Sequence, residues 1–344
     1  MRALVIHAPK DLRLEQQEVG EIGPGQVMVR VEVGGICGSD LHYFNHGGFG
    51  TVRLKEPMIL GHEVAGRVAK IAGDVTGVAV SDRVVVNPSR PCGVCKYCRE
   101  GMPNQCLDML FYGSAMRIPH VQGAFREALI CEASQCVRIA GDVPTSLLAL
   151  TEPFSVCLHA ISRAGSLVGK RVLVTGCGPI GVLAVAAARF HGAATVVVTD
   201  VVDQPLAVAR ALGADVAINS ASSAAWEAPY AVDKGTFDIV IECSGNERAL
   251  RAGLEVVRPR GIVLQLGLGG DITVPLNMIT TKEISLQGSF RFHSEFALAA
   301  KLISERRVDL TPVISGTYPI GEAQEAFKIA SDRTRSMKVQ LAFN

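Results

Sequence analysis

The feature that most constrains the fold of this chain is a glycine-rich turn between an apolar strand and an apolar helix. The turn reads Gly176-Cys177-Gly178-Pro179-Ile180-Gly181, after an apolar run at 171–175 and before a helical pattern at 182–190, and Asp200 ends the next apolar run. Such glycines permit a tight turn and close approach of a pyrophosphate, and the carboxylate can accept from ribose hydroxyls. The pattern predicts a dinucleotide site that favours NAD, because Asp200 would repel a 2′-phosphate. The alternative is a glycine-rich turn without a ligand.

The rest of the chain divides into two regions with different patterns of apolar residues. From about residue 150 onward, apolar strands alternate with helical segments, which predicts an α/β fold with a doubly wound parallel sheet covered on both faces. Residues 1–150 contain short alternating runs broken by glycine and proline, which predict an antiparallel, β-rich domain. The chain ends in a strand-like run at 338–341, and we expect this last segment to return to the first domain.

Four cysteines are clustered with the spacing C-x2-C-x2-C-x7-C, at Cys92, Cys95, Cys98 and Cys106. Four thiolates so close in sequence can surround one tetrahedral ion, which predicts a closed structural zinc site. An iron–sulfur cluster is the alternative, but its last gap would be three residues and a proline would follow the last cysteine. Because no signal-peptide pattern precedes these cysteines, we interpret them as metal ligands rather than disulfides and expect a cytoplasmic protein.

A second constellation joins Cys37 to His62 and Glu63, all within glycine-punctuated turns. A thiolate, an imidazole and a carboxylate are usual ligands of a zinc ion that keeps one position open. The alternative is a buried cysteine beside a core histidine, which leaves the polar residues crowded around them unexplained. Glu152, in the run Thr151-Glu152-Pro153 near the point where the pattern of apolar residues changes, is a further candidate for this site. The alternative is an exposed loop glutamate.

The charge balance bears on possible partners. Lys and Arg number 34 and Asp and Glu 33, giving a net charge of +1. A near-neutral chain has no overall field to attract nucleic acid or an anionic membrane. A small anionic substrate stays possible, because a single arginine can bind a carboxylate.

These motifs occur in the order found in zinc-dependent medium-chain alcohol and polyol dehydrogenases, and the resemblance covers the whole chain. It implies a GroES-like catalytic domain over 1–153 and 289–344, with a structural-zinc lobe at about 88–110, and a Rossmann domain over 154–288. It also implies two zinc ions per chain and a homodimer or homotetramer. Cys37 and His62 would be direct zinc ligands, Glu63 a ligand or a base next to the metal, and Glu152 a ligand or the holder of a water. Asp40 would orient the ligating His62.

The resemblance further implies hydride transfer from a secondary alcohol to a nicotinamide. Zinc would act as a Lewis acid, and Ser39 and His42 would relay the proton of the hydroxyl group. Polyol dehydrogenases often carry a basic residue four or five positions past the aspartate, where Gln204 and Pro205 stand here, so NADP stays possible beside NAD. Dinucleotide contacts beyond the glycine turn are implied at Leu266, Gly267, Leu268, Ser289, Phe290 and Lys338. For Lys338, the alternative is a solvated strand charge.

Within the family, the segments 34–43, 111–116 and 283–292 are most similar to L-idonate 5-dehydrogenases, with sorbitol and xylitol dehydrogenases as the alternative. The similarity implies oxidation of L-idonate to 5-keto-D-gluconate. A sugar-acid substrate requires a cation in its pocket. The candidates are Arg117, His120 and Arg291, with Tyr43 and Phe111 as further contacts. A non-enzymatic dinucleotide-binding relative is the alternative of another class, but it would not need an open zinc position.

Overall fold

The structure, a computed structural model, describes residues 1–343. Its strands are β1 Arg2–Ala8, β2 Asp11–Gln16, β3 Gln26–Gly35, β4 Gly48–Phe49, β5 Val52–Arg53, β6 Met58–Ile59, β7 Glu63–Ile71, β8 Arg83–Val86, β9 Ser89–Arg90, β10 Leu110–Phe111, β11 Ala128–Glu132, β12 Cys136–Arg138, β13 Arg171–Thr175, β14 Thr195–Asp200, β15 Val216–Asn219, β16 Phe237–Glu242, β17 Val257–Gln265, β18 Ser285–Gly288, β19 Ile314–Pro319 and β20 Lys338–Ala342.

The helices are α1 Gly38–His46, α2 Lys96–Arg99, α3 Thr145–Leu148, α4 Thr151–Ala164, α5 Pro179–Phe190, α6 Asp203–Ala211, α7 Glu247–Val256, α8 Leu276–Thr281, α9 Glu295–Ser304 and α10 Ala323–Ala330. Within residues 1–343, none of them is long and apolar enough to cross a membrane.

Six strands form a fully parallel sheet in the order β15-β14-β13-β16-β17-β18. The central strands are buried almost throughout, as expected for a sheet covered by helices on both faces. The strand order reverses between β13 and β16, and ligands of such sheets bind in the crevice at that point. The glycine turn at 176–181 follows β13 and therefore lies at this crevice.

Seven strands form the second large sheet, in the order β12-β8-β7-β3-β20-β19, with β11 also pairing with β3. Its pairings are antiparallel, as the sequence predicts, except that β19 and β20 run parallel. Gln340 of β20 pairs with Gly35 of β3, so the end of the chain adds a strand to the sheet built from its beginning.

One buried apolar cluster connects the two sheets. It includes the helices packed on the parallel sheet, Phe154 and Leu158 of α4, and also Ala65 and Val85 of β7 and β8. Helix α4 thus packs between the sheets, with its first turn toward the start of β7. The domain boundaries 1–153, 154–288 and 289–344 themselves remain a proposal.

Candidate active site

The pairing of β3 with β7 brings Cys37 and His62 together. Gly35, the last residue of β3, lies opposite Glu63, the first residue of β7. Cys37 follows β3 and precedes α1, while His62 comes directly before β7. Two residues that are distant in sequence therefore lie side by side, where β3 ends and the neighbouring β7 begins.

Asp40 fixes both loops through their backbone. Its buried carboxylate accepts the N–H of Cys37 through Oδ2 at 3.0 Å and the N–H of Gly61 through Oδ1 at 3.1 Å. Oδ1 lies 3.9 Å from Nδ1 of His62, longer than a hydrogen bond. Asp40, which the resemblance predicts to orient His62, therefore acts here on the backbone of the residue before it rather than through a hydrogen bond to the imidazole. Gly61 itself has φ +91°, and a Cβ there would meet the ring of Phe125 at 2.1 Å, so glycine is required before His62.

The donor set of this site fits a zinc ion. Cys37, His62 and Glu63 each offer a ligand atom within 4.8 Å of the other two. Nδ1 of His62 is buried without a hydrogen-bond partner in the described part of the chain. Burial, and then the charge of Glu63, raises the pKa of the Cys37 thiol to about 12. A divalent cation would offset both effects and favour the thiolate.

Glu63 is held by a buried lysine. Nζ of Lys338 donates to both carboxylate oxygens of Glu63, at 2.8 and 2.9 Å, and to the carbonyl of Ile36 at 3.1 Å. Both side chains are essentially inaccessible to solvent. The three contacts use all three ammonium hydrogens. Lys338 therefore lies beneath the candidate metal ligands and is neither the pyrophosphate contact nor the solvated strand charge that the sequence left open.

Glu152 lies in the first turn of α4 rather than in an exposed loop, and it is 7% exposed. Burial raises the pKa of its carboxyl to about 8, against the opposing influence of His62. No hydrogen bond or ion pair joins this carboxylate to another residue among 1–343. It is thus available to a ligand beside His62.

Arg291 lies near Glu152, on the cleft lined by these candidate metal ligands. Its guanidinium stacks 4.2 Å over the ring of Phe111 and 4.9 Å over that of Phe290. Burial lowers its pKa to about 10, and the neighbouring charge of Glu152 acts in the other direction. The ring of Phe111 also lies 5.4 Å from that of His62. A cation, a carboxylate and an aromatic wall therefore meet next to the candidate metal site.

Tyr43, also predicted at the substrate, is buried on α1, and its hydroxyl accepts the N–H of Ala115 at 3.0 Å. It thereby holds the loop that continues to Met116. Ser39 is half-buried and His42 exposed, three residues apart on the same helix, and hence on one face of α1. Partial burial, and then His46, lowers the pKa of His42, which favours a neutral ring able to accept a proton.

Two of the predicted cationic candidates are engaged elsewhere. Nε2 of His120 accepts the N–H of Lys55 at 2.9 Å, and Nδ1 lies 2.8 Å from the carbonyl of Arg117. The ring is buried and both nitrogens are taken by backbone, so His120 is a structural residue and its prediction as a substrate contact is corrected. Arg117 forms an exposed ion pair with Asp108 at 2.6 Å, which compensates its charge.

The glycine turn opens onto a cavity of about 660 Å³ that is lined by Gly176, Gly178 and Asp200. A Cβ on Gly181 would meet the carbonyl oxygen of Gly176 at 1.8 Å, so packing of helix on strand requires glycine there. A Cβ on Gly178 would meet nothing within 4 Å. Packing does not require glycine at 178, whereas a pyrophosphate approaching the backbone would. The cavity therefore fits a dinucleotide.

The remaining predicted cofactor residues lie in the glycine turn itself or directly after β17 and β18. Pro179 is the first residue of α5, where proline is favoured, and Ile180 follows it. After β17, Leu266 is partly buried, Gly267 closely approaches the backbone of Gly245, and Leu268 is 75% exposed. Oγ of Ser289 is buried and unpartnered within residues 1–343, and the Phe290 ring is partly exposed.

The sequence does not indicate that one further residue, Arg333, belongs to this cavity. Arg333 lies in the turn between α10 and β20, and its Nη2 lies 2.7 Å from Oδ2 of Asp200. The two residues are 133 positions apart, and no motif links them.

The four-cysteine segment forms a separate lobe. Cys92, Cys95, Cys98 and Cys106 each offer a sulfur within 4.8 Å of the others. Backbone amides point at these sulfurs: Cys92 N and Asp108 N donate to Cys106 Sγ at 3.2 and 3.3 Å. Hydrogen bonds from the backbone of Cys98 and Leu107 lower the pKa of Cys95 to about 6. This set of four sulfurs fits a tetrahedral zinc ion with no open position.

Comparison with known proteins extends this description over the whole chain. A family model described as "Alcohol dehydrogenase GroES-like domain" matches residues 23–141, and one described as "Zinc-binding dehydrogenase" matches residues 179–305. The L-idonate 5-dehydrogenase (NAD(P)(+)) of Escherichia coli K12 is 41% identical over 345 residues, covering 99% of this chain and 98% of that protein. The sorbitol dehydrogenase of Gallus gallus is 35% identical over 343 residues, covering 98% and 95%.

Among solved structures, the crystal structure of L-idonate 5-dehydrogenase from Escherichia coli K-12 superimposes with a TM-score of 0.95. The two chains are 40% identical in that comparison, which covers 99% of this chain and 97% of the other. The similarity therefore includes both large sheets and the segments that carry the two groups of candidate metal ligands.

Proposed function

This chain belongs to the family of zinc-dependent medium-chain dehydrogenases, and we propose that its substrate is a sugar acid, L-idonate, which it oxidises reversibly to 5-keto-D-gluconate. The resemblance predicted from the sequence, the GroES-like and Rossmann fold class, the dehydrogenase class and the zinc and NAD(P) cofactors are confirmed by the family models and the L-idonate 5-dehydrogenase relative. The substrate itself is named only for that relative and is our proposal for this chain.

The observation that carries the proposal is the position of Arg291. Its guanidinium is partly buried against Phe111 and within the electrostatic reach of Glu152. No ion pair engages it among residues 1–343, in contrast to Arg117, which is paired with Asp108. An unpaired guanidinium in a half-buried cleft favours a carboxylate ligand. A neutral polyol would not compensate this charge, so the sugar acid is preferred to sorbitol or xylitol.

We assign the residues to roles as follows. Cys37 and His62 would hold the catalytic zinc together with a carboxylate, for which Glu152 has no competing partner and Glu63 is shared with Lys338. When bound, zinc would supply Lewis acidity toward the substrate hydroxyl, and the nicotinamide would accept the hydride. Ser39 and His42 would carry the hydroxyl proton along one face of α1 to solvent. Arg291 would hold the carboxylate so that the reacting carbon faces the nicotinamide.

Other features predicted from the sequence remain proposals. The cysteine lobe would hold a second, structural zinc through Cys92, Cys95, Cys98 and Cys106. The domain boundaries, the cytoplasmic location and the homodimer or homotetramer rest on the sequence and the family resemblance.

The test is a substrate panel of L-idonate, sorbitol and xylitol with NAD and NADP, applied to the parent, Arg291→Met and Arg291→Lys. Methionine keeps length and apolar contact but removes the charge. The contact to the carboxylate is made in both ground and transition states, so its loss should raise KM for idonate about 10-fold or more with a small change in kcat. Sorbitol kinetics should change little.

Arg117→Met is the matched control, since it removes a neighbouring arginine whose charge is already paired, and it should leave both substrates unaffected. A parent enzyme that oxidises sorbitol or xylitol far better than idonate would overturn the sugar-acid proposal and favour a polyol dehydrogenase. Equal losses for idonate and sorbitol in Arg291→Met would show that the residue shapes the cleft without recognising a carboxylate.

A further inference from the structure

An arginine from the C-terminal segment reaches across the dinucleotide cleft. Arg333 lies in the turn after α10, in the segment that leads into the second large sheet, whereas Asp200 is the last residue of β14 in the parallel sheet. Nη2 of Arg333 donates to Oδ2 of Asp200 at 2.7 Å, and both residues line the 660 Å³ cavity. The pair therefore spans the cleft at the carboxylate expected to bind the adenosine ribose.

The hydrogen-bonding capacity of Asp200 is largely used. Oδ2 also accepts the N–H of Cys177 at 2.7 Å, and Oδ1 accepts the N–H of Val202 at 3.0 Å. A carboxylate offers about four lone-pair directions, so about one is left while Arg333 stays in place. The two backbone bonds fix the carboxylate regardless of Arg333. A ribose with two free hydroxyls must therefore compete with the guanidinium for Asp200.

The same contact changes the charge that a phosphate would meet. The charged residues lining the cavity are two acidic ones, Asp200 and Glu227, and two basic ones, Arg248 and Arg333. The side chain of Arg248 is exposed and forms no ion pair with any described residue. The repulsion of a 2′-phosphate expected from Asp200 alone is therefore offset at this cavity.

Arg333 is also free to reorient. Its side chain is 54% exposed, whereas that of Asp200 is 2% exposed. It can leave Oδ2 without uncovering a buried cation, unlike Lys338. Moving the guanidinium from the carboxylate to a phosphate exchanges one charge-assisted hydrogen bond for another.

We infer that Arg333 is the residue that lets this cleft accept a 2′-phosphorylated dinucleotide: it caps Asp200 in the free enzyme and becomes the partner of the 2′-phosphate of NADP. The inference deepens the proposed function and rests on dinucleotide binding at this cleft. The basic residue missing at positions 204 and 205 is thus supplied by another part of the chain, and selection of NAD by Asp200 is weakened.

The experiment measures binding to the full-length, zinc-loaded protein by isothermal titration calorimetry, without substrate. NADPH is compared with NADH, and adenosine 2′,5′-bisphosphate with 5′-AMP, for the parent, Arg333→Met, Arg333→Lys and Arg335→Met. Arg335 is an exposed arginine of the same turn that does not line the cavity and serves as the control. Loss of a charge-assisted contact should weaken NADPH and the bisphosphate about 10-fold or more in Arg333→Met.

NADH and 5′-AMP should bind Arg333→Met as tightly as the parent, or somewhat more tightly, because the ribose no longer competes with a guanidinium. Arg333→Lys should retain part of the preference, and Arg335→Met all of it. Equal weakening of phosphorylated and unphosphorylated ligands would overturn the inference, as would an unchanged NADPH affinity or an equal loss in Arg335→Met. A parent that binds none of the four ligands would instead overturn the proposed dehydrogenase function.

Discussion

In the cysteine lobe, all four sulfurs come from the single segment 92–106, whereas the donors of the cleft come from three separate elements. Cys37 follows β3, His62 directly precedes β7, Glu63 is the first residue of β7, and Glu152 lies in the first turn of α4. Helix α2, which carries part of the lobe, has no buried residue, while His62 is 4% exposed and Glu63 is fully buried.

This difference in burial implies a difference in how each site is stabilised. The donors of the cleft are positioned by strand pairing, by the backbone bonds of Asp40 and by the ion pair of Lys338. The lobe buries few apolar side chains, and Val94, Met102 and Leu107 are exposed, so a metal ion must provide much of its folding free energy. Metal loss should therefore abolish turnover in the cleft without unfolding it, whereas it should destabilise the fold of the lobe.

The largest expected effects come from crossed cysteine variants. Cys37→Ser should lower kcat/KM roughly 1,000-fold or more, because Lewis-acid stabilisation of the transition state is worth several kcal/mol. Its thermal midpoint should stay close to that of the parent. Cys95→Ser should lower the thermal midpoint and accelerate proteolysis within 92–110. Zinc content, measured by mass spectrometry, should fall from about two ions to about one per chain in each variant.

Cys136→Ser serves as the control, because Cys136 is a half-buried cysteine outside both sets. Retained turnover in Cys37→Ser, or equal destabilisation by Cys37→Ser and Cys95→Ser, would contradict the distinction between the two regions.

A second prediction concerns the buried cation beneath the cleft. Lys338→Met leaves the Glu63 carboxylate buried without its partner, and breaking such a pair typically costs about 3–5 kcal/mol in the free energy of unfolding. Denaturant titration followed by circular dichroism would measure this loss. The double variant Lys338→Met with Glu63→Gln should recover much of it, because no unpaired charge is left.

The double variant should nevertheless have low activity, because Glu63 is a candidate metal ligand. Its stability would thus be recovered while its activity would not. If Lys338→Met were as stable as the parent only while zinc is bound, the metal would be compensating Glu63. That result would identify Glu63 as a direct zinc ligand.

Both regions show what could be predicted from sequence. The four cysteines of the lobe lie in one short motif, where local spacing determines which atoms meet. Cys37, His62 and Glu63 lie in two short motifs whose residue types indicate a zinc site, but the pairing of β3 with β7 is what brings them together. The partners of Lys338 and Arg333 could not be found this way, because Glu63 and Asp200 are 275 and 133 residues distant, and only the pairing of strands and the closing of the cleft bring them together.

His120 illustrates a different limit of sequence analysis. Its type suggested a substrate contact, but the ring bonds two backbone groups whose positions depend on the folded loops. Burial and hydrogen-bond partners decided between a structural and a functional role.

A third prediction tests the anchoring of α4, which carries Glu152. His159 of α4 lies 3.1 Å from Glu295 of α9 through Nδ1 and Oε1. Burial alone would raise the pKa of Glu295, but the hydrogen bonds from His159 and the His293 amide outweigh it and lower the pKa to about 2. Because the folded pKa lies below the ordinary value, this stabilisation is present above about pH 5 and is lost as the pH falls toward 2.

Glu295→Gln should therefore lower the free energy of unfolding by about 2 kcal/mol at pH 7. The difference from the parent should shrink as the pH is lowered from 5 to 3.5. Glu305→Gln, at an exposed i,i+4 pair with Lys301, is the control and should change little. A pH-independent difference would mean that packing, rather than the carboxylate charge, anchors α4.

The smallest expected effect probes a direct link between the two regions. Nδ2 of Asn104, in the lobe, donates to the carbonyl of Phe290 at 3.0 Å, next to Arg291. A single neutral hydrogen bond of this kind contributes about 0.5–1.5 kcal/mol. Asn104→Ala should therefore raise KM for the acidic substrate about 2- to 10-fold by loosening the position of Arg291. Gln105→Ala, an exposed neighbour whose side chain bonds no described residue, should have no effect.

The lobe itself should keep its zinc and its thermal stability in Asn104→Ala, because its four sulfurs are untouched. An unchanged KM would mean that the lobe and the cleft are independent even at this contact. Loss of lobe zinc together with a large fall in kcat would mean the opposite. The structural metal would then support the substrate cleft, and the two regions would have to be treated as one functional unit.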